Sequence, residues 1–182
     1  MMIKTVCVMG ASASGKSTLI DNLCKDLPDK LHYVKSRTTR KPRSNEDLKT
    51  HKFVTDECYQ EDLVNGKVLF TYHSPNGYYN YTTIDDFDKN KINIYAIDPV
   101  AFIKLSKNKG FMSAGIYVKT SEETLKKRMK LRGKEFQEEP HLSISKLINN
   151  DNIKYIVVSG EEFCTHRTLP IARGYILEHY KS

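Results

Sequence analysis

Short apolar runs alternate along this chain with stretches whose apolar residues recur every three or four positions. The alternation predicts strands and helices in turn, an α/β chain with a parallel sheet flanked by helices. Residues 4–9, Lys-Thr-Val-Cys-Val-Met, are β-rich and apolar and predict a buried strand. Leu19, Ile20, Leu23 and Leu27 then line one face of a helix, with Pro28 just past its end. Residues 31–34 predict a second strand. Between 50 and 84 the character changes: a strand over 52–55, a short helix over 56–65 stopped by Asn65-Gly66, a strand over 67–73, a hairpin turn at Pro75-Asn76-Gly77 and a returning strand over 78–82. This reads as a small, mostly antiparallel insert between units of the parallel sheet. Residues 92–98 return to a buried strand ending in Asp98, and Pro99 suits the first turn of a helix carrying Val100, Phe102, Ile103 and Leu105. A strand over 111–118 follows. Thr120 and Glu123 have capping-box spacing and open a basic helix over 125–132 that ends at Gly133. After a polar, acidic stretch over 134–141 come a helix through Leu142, Ile144, Leu147 and Ile148, a last strand over 155–158, and a final helix interrupted at Pro170 and resuming over 171–180.

Composition narrows the class. A length of 182 residues suits one domain with an ordinary core, and no repeat, low-complexity tract or linker composition points to a second. No run of 18 apolar residues predicts a membrane span, and no apolar leader precedes a cleavage site. The four cysteines, at 7, 24, 58 and 164, lack C-x-x-C or metal-ligand spacing and read as reduced thiols of a cytosolic protein, in its own organism or in a host. The 29 Lys and Arg outnumber the 22 Asp and Glu, giving a net charge of +7. That excess attracts nucleic acid, and it equally suits polyphosphate ligands; most lysines outside the motifs read as solvated surface.

The chemistry concentrates after the first strand. Gly10-Ala11-Ser12-Ala13-Ser14-Gly15-Lys16-Ser17-Thr18 fits G-x-x-x-x-G-K-[ST], the phosphate-binding loop of nucleoside triphosphate enzymes, with the strand before it and the helix after it that the motif requires. Its glycines let backbone N–H groups converge on phosphate oxygens, Lys16 reaches the β- and γ-phosphates, and Ser17 offers a hydroxyl to Mg²⁺. Phosphoryl transfer needs further phosphate contacts, on the acceptor and on a cover that excludes water. Arg40 and Arg43, bracketing Pro42 after the second strand, suit the acceptor, because two guanidinium forks on a stiff turn can clamp one phosphate. Arg128 and Arg132, at i and i+4 on a basic helix before Gly133, suit the cover. Asp98 is placed either to orient Mg²⁺ water or touch the acceptor, or to cap the helix that Pro99 opens. Tyr78 and Tyr79 offer a phosphate hydrogen bond or strand packing. No Ser/His/Asp nucleophile set competes.

These pieces, in this order, resemble the guanylate kinase family of nucleoside monophosphate kinases. The carrying residues are the loop from Gly10 to Thr18, the string Ser36-Arg37-Thr38-Thr39-Arg40-Lys41-Pro42-Arg43 with Glu46 behind it, Lys52-Phe53-Val54, Tyr78-Tyr79, Ile97-Asp98, Lys127-Arg128 and Leu131-Arg132-Gly133. The S-x-T-T-R-x-P-R string is the more diagnostic. The resemblance implies a kinase core over 1–35, 91–127 and 147–182, an acceptor-binding insert over 36–90, a mobile lid over 128–146, and ATP with Mg²⁺ as donor. It implies that Lys16 and Ser17 take the donor phosphates and Mg²⁺, that Ser36, Arg40, Arg43 and Tyr79 meet the acceptor with Asp98 beside it, and that Arg128 and Arg132 close over ATP.

The chain departs from the family pattern in one region. The family's guanine-reading Glu, about nine residues before the second Tyr of the Y-Y pair, is here Phe70. The Gly-Ser/Thr after that pair is Asn80-Tyr81, with Thr82 one step late. A phosphate-binding Tyr becomes His51, and a lid Arg becomes Lys146. Three readings follow: a kinase for GMP or dGMP that reads guanine with other groups; a kinase of the same fold with another acceptor, whether another nucleotide, a sugar phosphate or a modified base in DNA; and an inactive interaction module, which the intact Gly15-Lys16-Ser17 disfavours. The first is the leading expectation, with a small-molecule nucleotide as partner, no membrane, and nothing fixing the oligomeric state.

Overall fold

The computed structural model describes residues 2–42, 47–74, 76–136, 144–148, 153–161 and 165–181, without the side chains of residues 47, 146, 148, 165 and 166. In chain order the elements are β1 (Ile3–Met9), α1 (Lys16–Asp26), β2 (Leu31–Val34), β3 (Ser36–Thr38), α2 (Asp47–Thr50), β4 (His51–Phe53), α3 (Asp56–Val64), β5 (Val68–His73), β6 (Tyr79–Thr83), a 3₁₀ turn (Ile84–Asp86), β7 (Ile92–Ala96), α4 (Pro99–Ser106), β8 (Phe111–Lys119), α5 (Glu122–Leu131), α6 (Ser145–Ile148), β9 (Tyr155–Ser159) and α7 (Thr165–His179). They form two compact units, Met1–Tyr33 with Lys89–Ser182, and Val34–Asp88.

The first unit is built on a five-stranded parallel sheet of order β2-β7-β1-β8-β9. Its central strand explains why the sequence shows an unbroken apolar run: Val6, Cys7, Val8 and Met9 are all fully buried, so both faces are covered. On one face α1 and α7 pack Leu19, Ile20, Leu23, Ala172 and Ile176 against Val6, Val8, Ala114 and Ile116. On the other, α4 brings Phe102 and Leu105 down beside Met9. With α1 leaving β1 over one face and α4 leaving β7 over the other, the C-terminal ends of β1 and β7 flank the crevice where open parallel sheets take ligands. Burial pushes the Cys7 thiol well above its ordinary pKa. Cys7, Cys24 and Cys58 are free; Cys164 lies outside the described residues. Among the described residues no helix is long and apolar enough to cross a membrane.

The second unit is a four-stranded sheet of order β4-β3-β6-β5, antiparallel except for the β3–β4 pair. The Asn76-Gly77 turn closes the β5–β6 hairpin, with Gly77 at φ 80° and Ser74 N–H donating to Tyr78 O at 2.8 Å. Thr55 caps α3 by accepting from Cys58 N–H. α3 covers one face of the sheet through a buried polar network. Arg37 Nη1 donates to Asp62 at 2.9 Å, and Arg37 Nε to Asp86 at 3.0 Å. Lys52 Nζ reaches Asp86 at 2.7 Å, and Tyr81 O–H donates to Asp62 at 3.0 Å. Asp86 also accepts from the N–H and hydroxyl of Thr83, each at 2.9 Å. Burial would raise the Asp86 carboxyl, but the hydrogen bonds from Arg37, Lys52 and Thr83 outweigh it and hold the group below its ordinary value.

Three sequence expectations shift. Ser36–Thr38 is itself a strand rather than only a stretch following one, because Arg37 and Thr38 pair with Tyr81 and Asn80. Ser121, not Thr120, caps α5: its hydroxyl accepts from Thr124 N–H, while Thr120 Oγ1 donates to Ser14 O. Pro170 does not interrupt α7, which runs continuously through it. One lost backbone hydrogen bond there is outweighed by burial of Ala172, Ile176 and Tyr180 along the helix.

The network predicts a large effect from one substitution. Asp86→Ala leaves the Arg37 Nε, Lys52 and Thr83 donors without their shared carboxylate and costs about 3–5 kcal/mol in urea unfolding; a loss below about 1 kcal/mol, the value of a surface pair, contradicts the network's role. Because the folded state depresses the Asp86 pKa, its contribution is fully present above about pH 4 and is lost as pH falls through the folded value, so the variant lacks that part of the wild type's acid destabilisation.

Candidate functional site

In the first unit, the loop between β1 and α1 curls back on itself through left-handed residues: Gly10 at φ 140°, Ala13 at φ 64° and Gly15 at φ 105°. A Cβ on Gly10 would lie 2.6 Å from the Val118 carbonyl oxygen and 2.9 Å from Ser14 Oγ, so only glycine lets the loop pass this close to β8. Lys16 turns its ammonium back across the loop and donates to Gly10 O at 2.8 Å and Ala11 O at 2.7 Å. Ser14 Oγ is buried with no hydrogen-bond partner among the described residues. Gly15 caps α1 without a side-chain acceptor, so the first amides of the helix have no side-chain cap. Ser17 and Thr18 on that first turn are exposed, as is Ser12. Backbone donors, a lysine and exposed hydroxyls at a helix N-terminus are the groups that hold phosphate and a phosphate-bound divalent cation. ATP and Mg²⁺ therefore fit the residues present.

Asp98 takes the capping position. Its Oδ1 accepts from Ala101 N–H at 2.9 Å at the start of α4. It still stands at the ligand edge, since Ile97 N–H donates to Val8 O at the C-terminal end of β1.

Arg128 and Arg132 stand in different surroundings. Arg128 is buried, and its guanidinium donates to the backbone carbonyls of Ala13, Ser14, Gly160 and Glu161. Arg132 caps the C-terminal end of α5 and is exposed. Residues 137–143 of the expected lid, and the side chain of Lys146, lie outside the described residues.

In the second unit, strand register sorts the expected acceptor residues onto two faces. Ser36 pairs with His51, Thr38 with both Phe53 and Asn80, and Phe70 with Thr82. Side chains alternate along each strand, so these seven share one face. Arg40 joins them, its guanidinium 5.3 Å from the centre of the Phe53 ring, and His51 lies 6.2 Å from the same ring. Thr38 Oγ1 is buried there without a partner among the described residues. Tyr79 and Tyr81 belong to the opposite face, under α3. Tyr59 stacks on Tyr79 at 4.1 Å and meets Tyr81 edge-on at 4.9 Å. Burial, then the bond to Asp62, raises the Tyr81 phenol above its ordinary pKa. Tyr79 and Tyr81 both pack against α3, and Asn80 and Thr82 take the face shared with Phe70. Arg43, with Glu46, lies outside the described residues.

The sequence reading missed Asn80 and Phe53 as members of that face, although strand alternation from Ser36 and Phe70 was the available signal. It also missed Thr120, Gly160 and Glu161 behind the loop, for which no local signal exists, because their partners are far away in the chain.

The family model described as guanylate kinase matches residues 2–163. The chain is 34% identical over 134 residues to a guanylate kinase of Helicobacter pylori, covering 71% of this chain and 64% of that protein. It is 43% identical over 70 residues to a guanylate kinase of Schizosaccharomyces pombe, covering 38% and 35%. It thus spans 64% of the length of the Helicobacter relative. Among solved structures, guanylate kinase from Anaplasma phagocytophilum superposes with a TM-score of 0.64 at 18% identity, covering 100% of this chain and 87% of that one. A gluconokinase from Sinorhizobium meliloti gives 0.51 at 13%, covering 99% and 95%. At these identities the likeness is one of fold.

The sorting of faces is testable. Tyr81→Phe removes a hydrogen bond to a buried carboxylate and costs about 1–3 kcal/mol of stability, while the KM for a nucleotide acceptor stays at the wild-type value. A raised KM at unchanged stability returns Tyr81 to the acceptor face.

Proposed function

Because this chain belongs to the guanylate kinase family, we propose that it transfers the γ-phosphoryl group of ATP to a nucleoside monophosphate, with GMP or dGMP the first acceptor. The observation that carries the reading is the phosphate-binding loop itself: Gly10 and Gly15 in left-handed conformations, Lys16 folded across the loop, and an α1 N-terminus without a side-chain cap. Lys16 exchanges its two carbonyl partners for donor phosphate oxygens. Ser17 supplies a hydroxyl ligand to Mg²⁺, which when bound spreads the negative charge developing on the transferred group. Arg40, with Ser36 and His51 on its face of the second unit, holds the acceptor phosphate, and Arg43 serves with it. Arg132, exposed at the end of α5, approaches the donor as the lid over 128–146 closes and excludes water, and the insert over 36–90 closes on the acceptor. Asp98 keeps one carboxylate oxygen on its helix cap and offers the other to the acceptor side. Free Cys7, Cys24 and Cys58 suit a reducing cytoplasm.

A second reading, another acceptor base on the same machinery, is favoured by one specific observation. The face that carries Ser36 and Phe70 holds Asn80, with Thr38 and Thr82 buried in it, and no carboxylate from its strands. A neutral amide and hydroxyls donate and accept without the charge that pairs with a guanine edge. A site that loses a charged partner loses much of its discrimination, which reaches about 10⁴–10⁵ where a polar edge is read.

One assay separates the readings. ADP release is measured with ATP·Mg²⁺ and each nucleoside mono- and deoxymonophosphate, and with hydroxymethylated DNA. Turnover on GMP or dGMP is expected; turnover confined to another acceptor selects the second reading, and none at all with ATP still bound indicates an interaction role. Lys16→Ala abolishes turnover on any of these acceptors, and an active Lys16→Ala enzyme contradicts the donor site.

A further inference from the structure

Arg128 lies 115 residues after Ala13 in the chain, yet its guanidinium is built into the back of the phosphate-binding loop. Nη1 donates to Ala13 O at 3.2 Å and Ser14 O at 3.3 Å; Nη2 donates to Gly160 O at 2.6 Å and Glu161 O at 3.2 Å. The side chain is 8% exposed. Two further contacts fix the same corner. Thr120 Oγ1 donates to Ser14 O at 3.2 Å. The Glu161 carboxylate anchors the start of α5, accepting from Ser121 N–H, from Ser121 Oγ at 3.1 Å and from Thr124 Oγ1 at 2.6 Å. A Cβ on Gly160 would overlap both Thr120 Oγ1 and Ser14 O, so the segment after β9 approaches the loop as closely as only glycine permits.

We propose that Arg128 is a positioning residue that pre-sets the phosphate-binding loop from behind, rather than a group that grips the donor. The proposal rests on the reading of the loop as the donor phosphate site. A trans peptide is planar, with its C=O and its N–H on opposite sides. Holding Ser14 O outward with Arg128 and Thr120 therefore turns the Gly15 N–H into the loop, and holding Ala13 O outward does the same for the Ser14 N–H, which closes the turn onto Ala11 O at 3.2 Å. Donors oriented before the ligand arrives need no reorganisation when it binds. The planar fork is what makes this arrangement work: one guanidinium serves carbonyls of two segments distant in sequence, which the point charge of a lysine does not reproduce.

The test compares wild type, Arg128→Met and Arg128→Lys by hydrogen exchange of the free protein and by calorimetric titration with ADP. Both variants are expected to exchange the amides of residues 11–17 faster than wild type, with exchange in β1 unchanged, and to bind ADP about 10-fold or more weakly. Loop exchange equal to wild type overturns the proposal. So does full recovery of ADP affinity in Arg128→Lys, which would mean that charge near the phosphates is all that matters. Should Arg128→Met fail to melt cooperatively, Arg128→Lys, which keeps the charge and most of the buried stem, carries both measurements. Failure of the wild type itself to bind ADP contradicts the donor reading, while the exchange comparison still decides the bracing.

Discussion

The turn from β1 into α1 is the constraint on which the first unit is organised. Three residues of that turn hold positive φ, a conformation that costs an ordinary side chain about 1–3 kcal/mol and survives only where the surroundings over-determine it. Those surroundings are the β8 backbone against Gly10, the Arg128 fork on Ala13 and Ser14, and Gly160 behind Ser14. The sheet order serves the same end. With β1 central and α1 and α4 on opposite faces, the buried strand delivers its loop to the edge where donors converge, and the chain returns through β8, α5 and β9 to brace it.

The second unit is held by a different interaction, one that is polar and buried. Arg37 bridges Asp62 on α3 and Asp86 beyond β6, so one guanidinium ties helix, sheet and the turn after it. Ion pairs of this kind add less stability than their distances suggest, because both partners lose hydration. What this one fixes is register. Arg37 opposite Tyr81 sets which side chains of β3 and β6 look towards α3, and a slip of β6 by one residue would carry Tyr79 and Tyr81 to the other side, away from Arg37 and Asp62. The face that carries Ser36, Arg40, His51, Phe70, Asn80 and Thr82 is the complement of that packing.

Much of this was legible from residue order because it is encoded locally. The strand over 31–34, the helix stop at Asn65-Gly66 and the Asn76-Gly77 turn follow from short-range rules, and the loop motif is contiguous. The α1 face is legible because Leu19, Ile20 and Leu23 repeat at helical spacing. What failed to show depends on pairing between distant segments. Tyr79, in a strand read alone, is open between a phosphate contact and packing, and only the partner register with Thr71, His73 and Arg37 shows it and Tyr81 under α3. Arg128 and Arg132 look like one basic stripe, and only the approach of Ala13 and Gly160 separates a buried brace from an exposed end. Asp98 admits two readings that sequence leaves equal, and the hydrogen bond to Ala101 shows the capping one.

The central claim, that the loop around Lys16 is a pre-set phosphate site and that the Ser36 face of the second unit takes the acceptor, is tested most directly by a crystal structure with ADP and GMP bound. The account predicts the ADP β-phosphate inside the loop on the Gly15 and Lys16 amides, Lys16 released from the Gly10 and Ala11 carbonyls, Arg128 still on its four carbonyls, and the acceptor on the face shared by Arg40, Asn80 and Thr82. Phosphate bound outside the loop, with Lys16 still on those carbonyls, or an acceptor seated against Tyr79 and Tyr81, would contradict it.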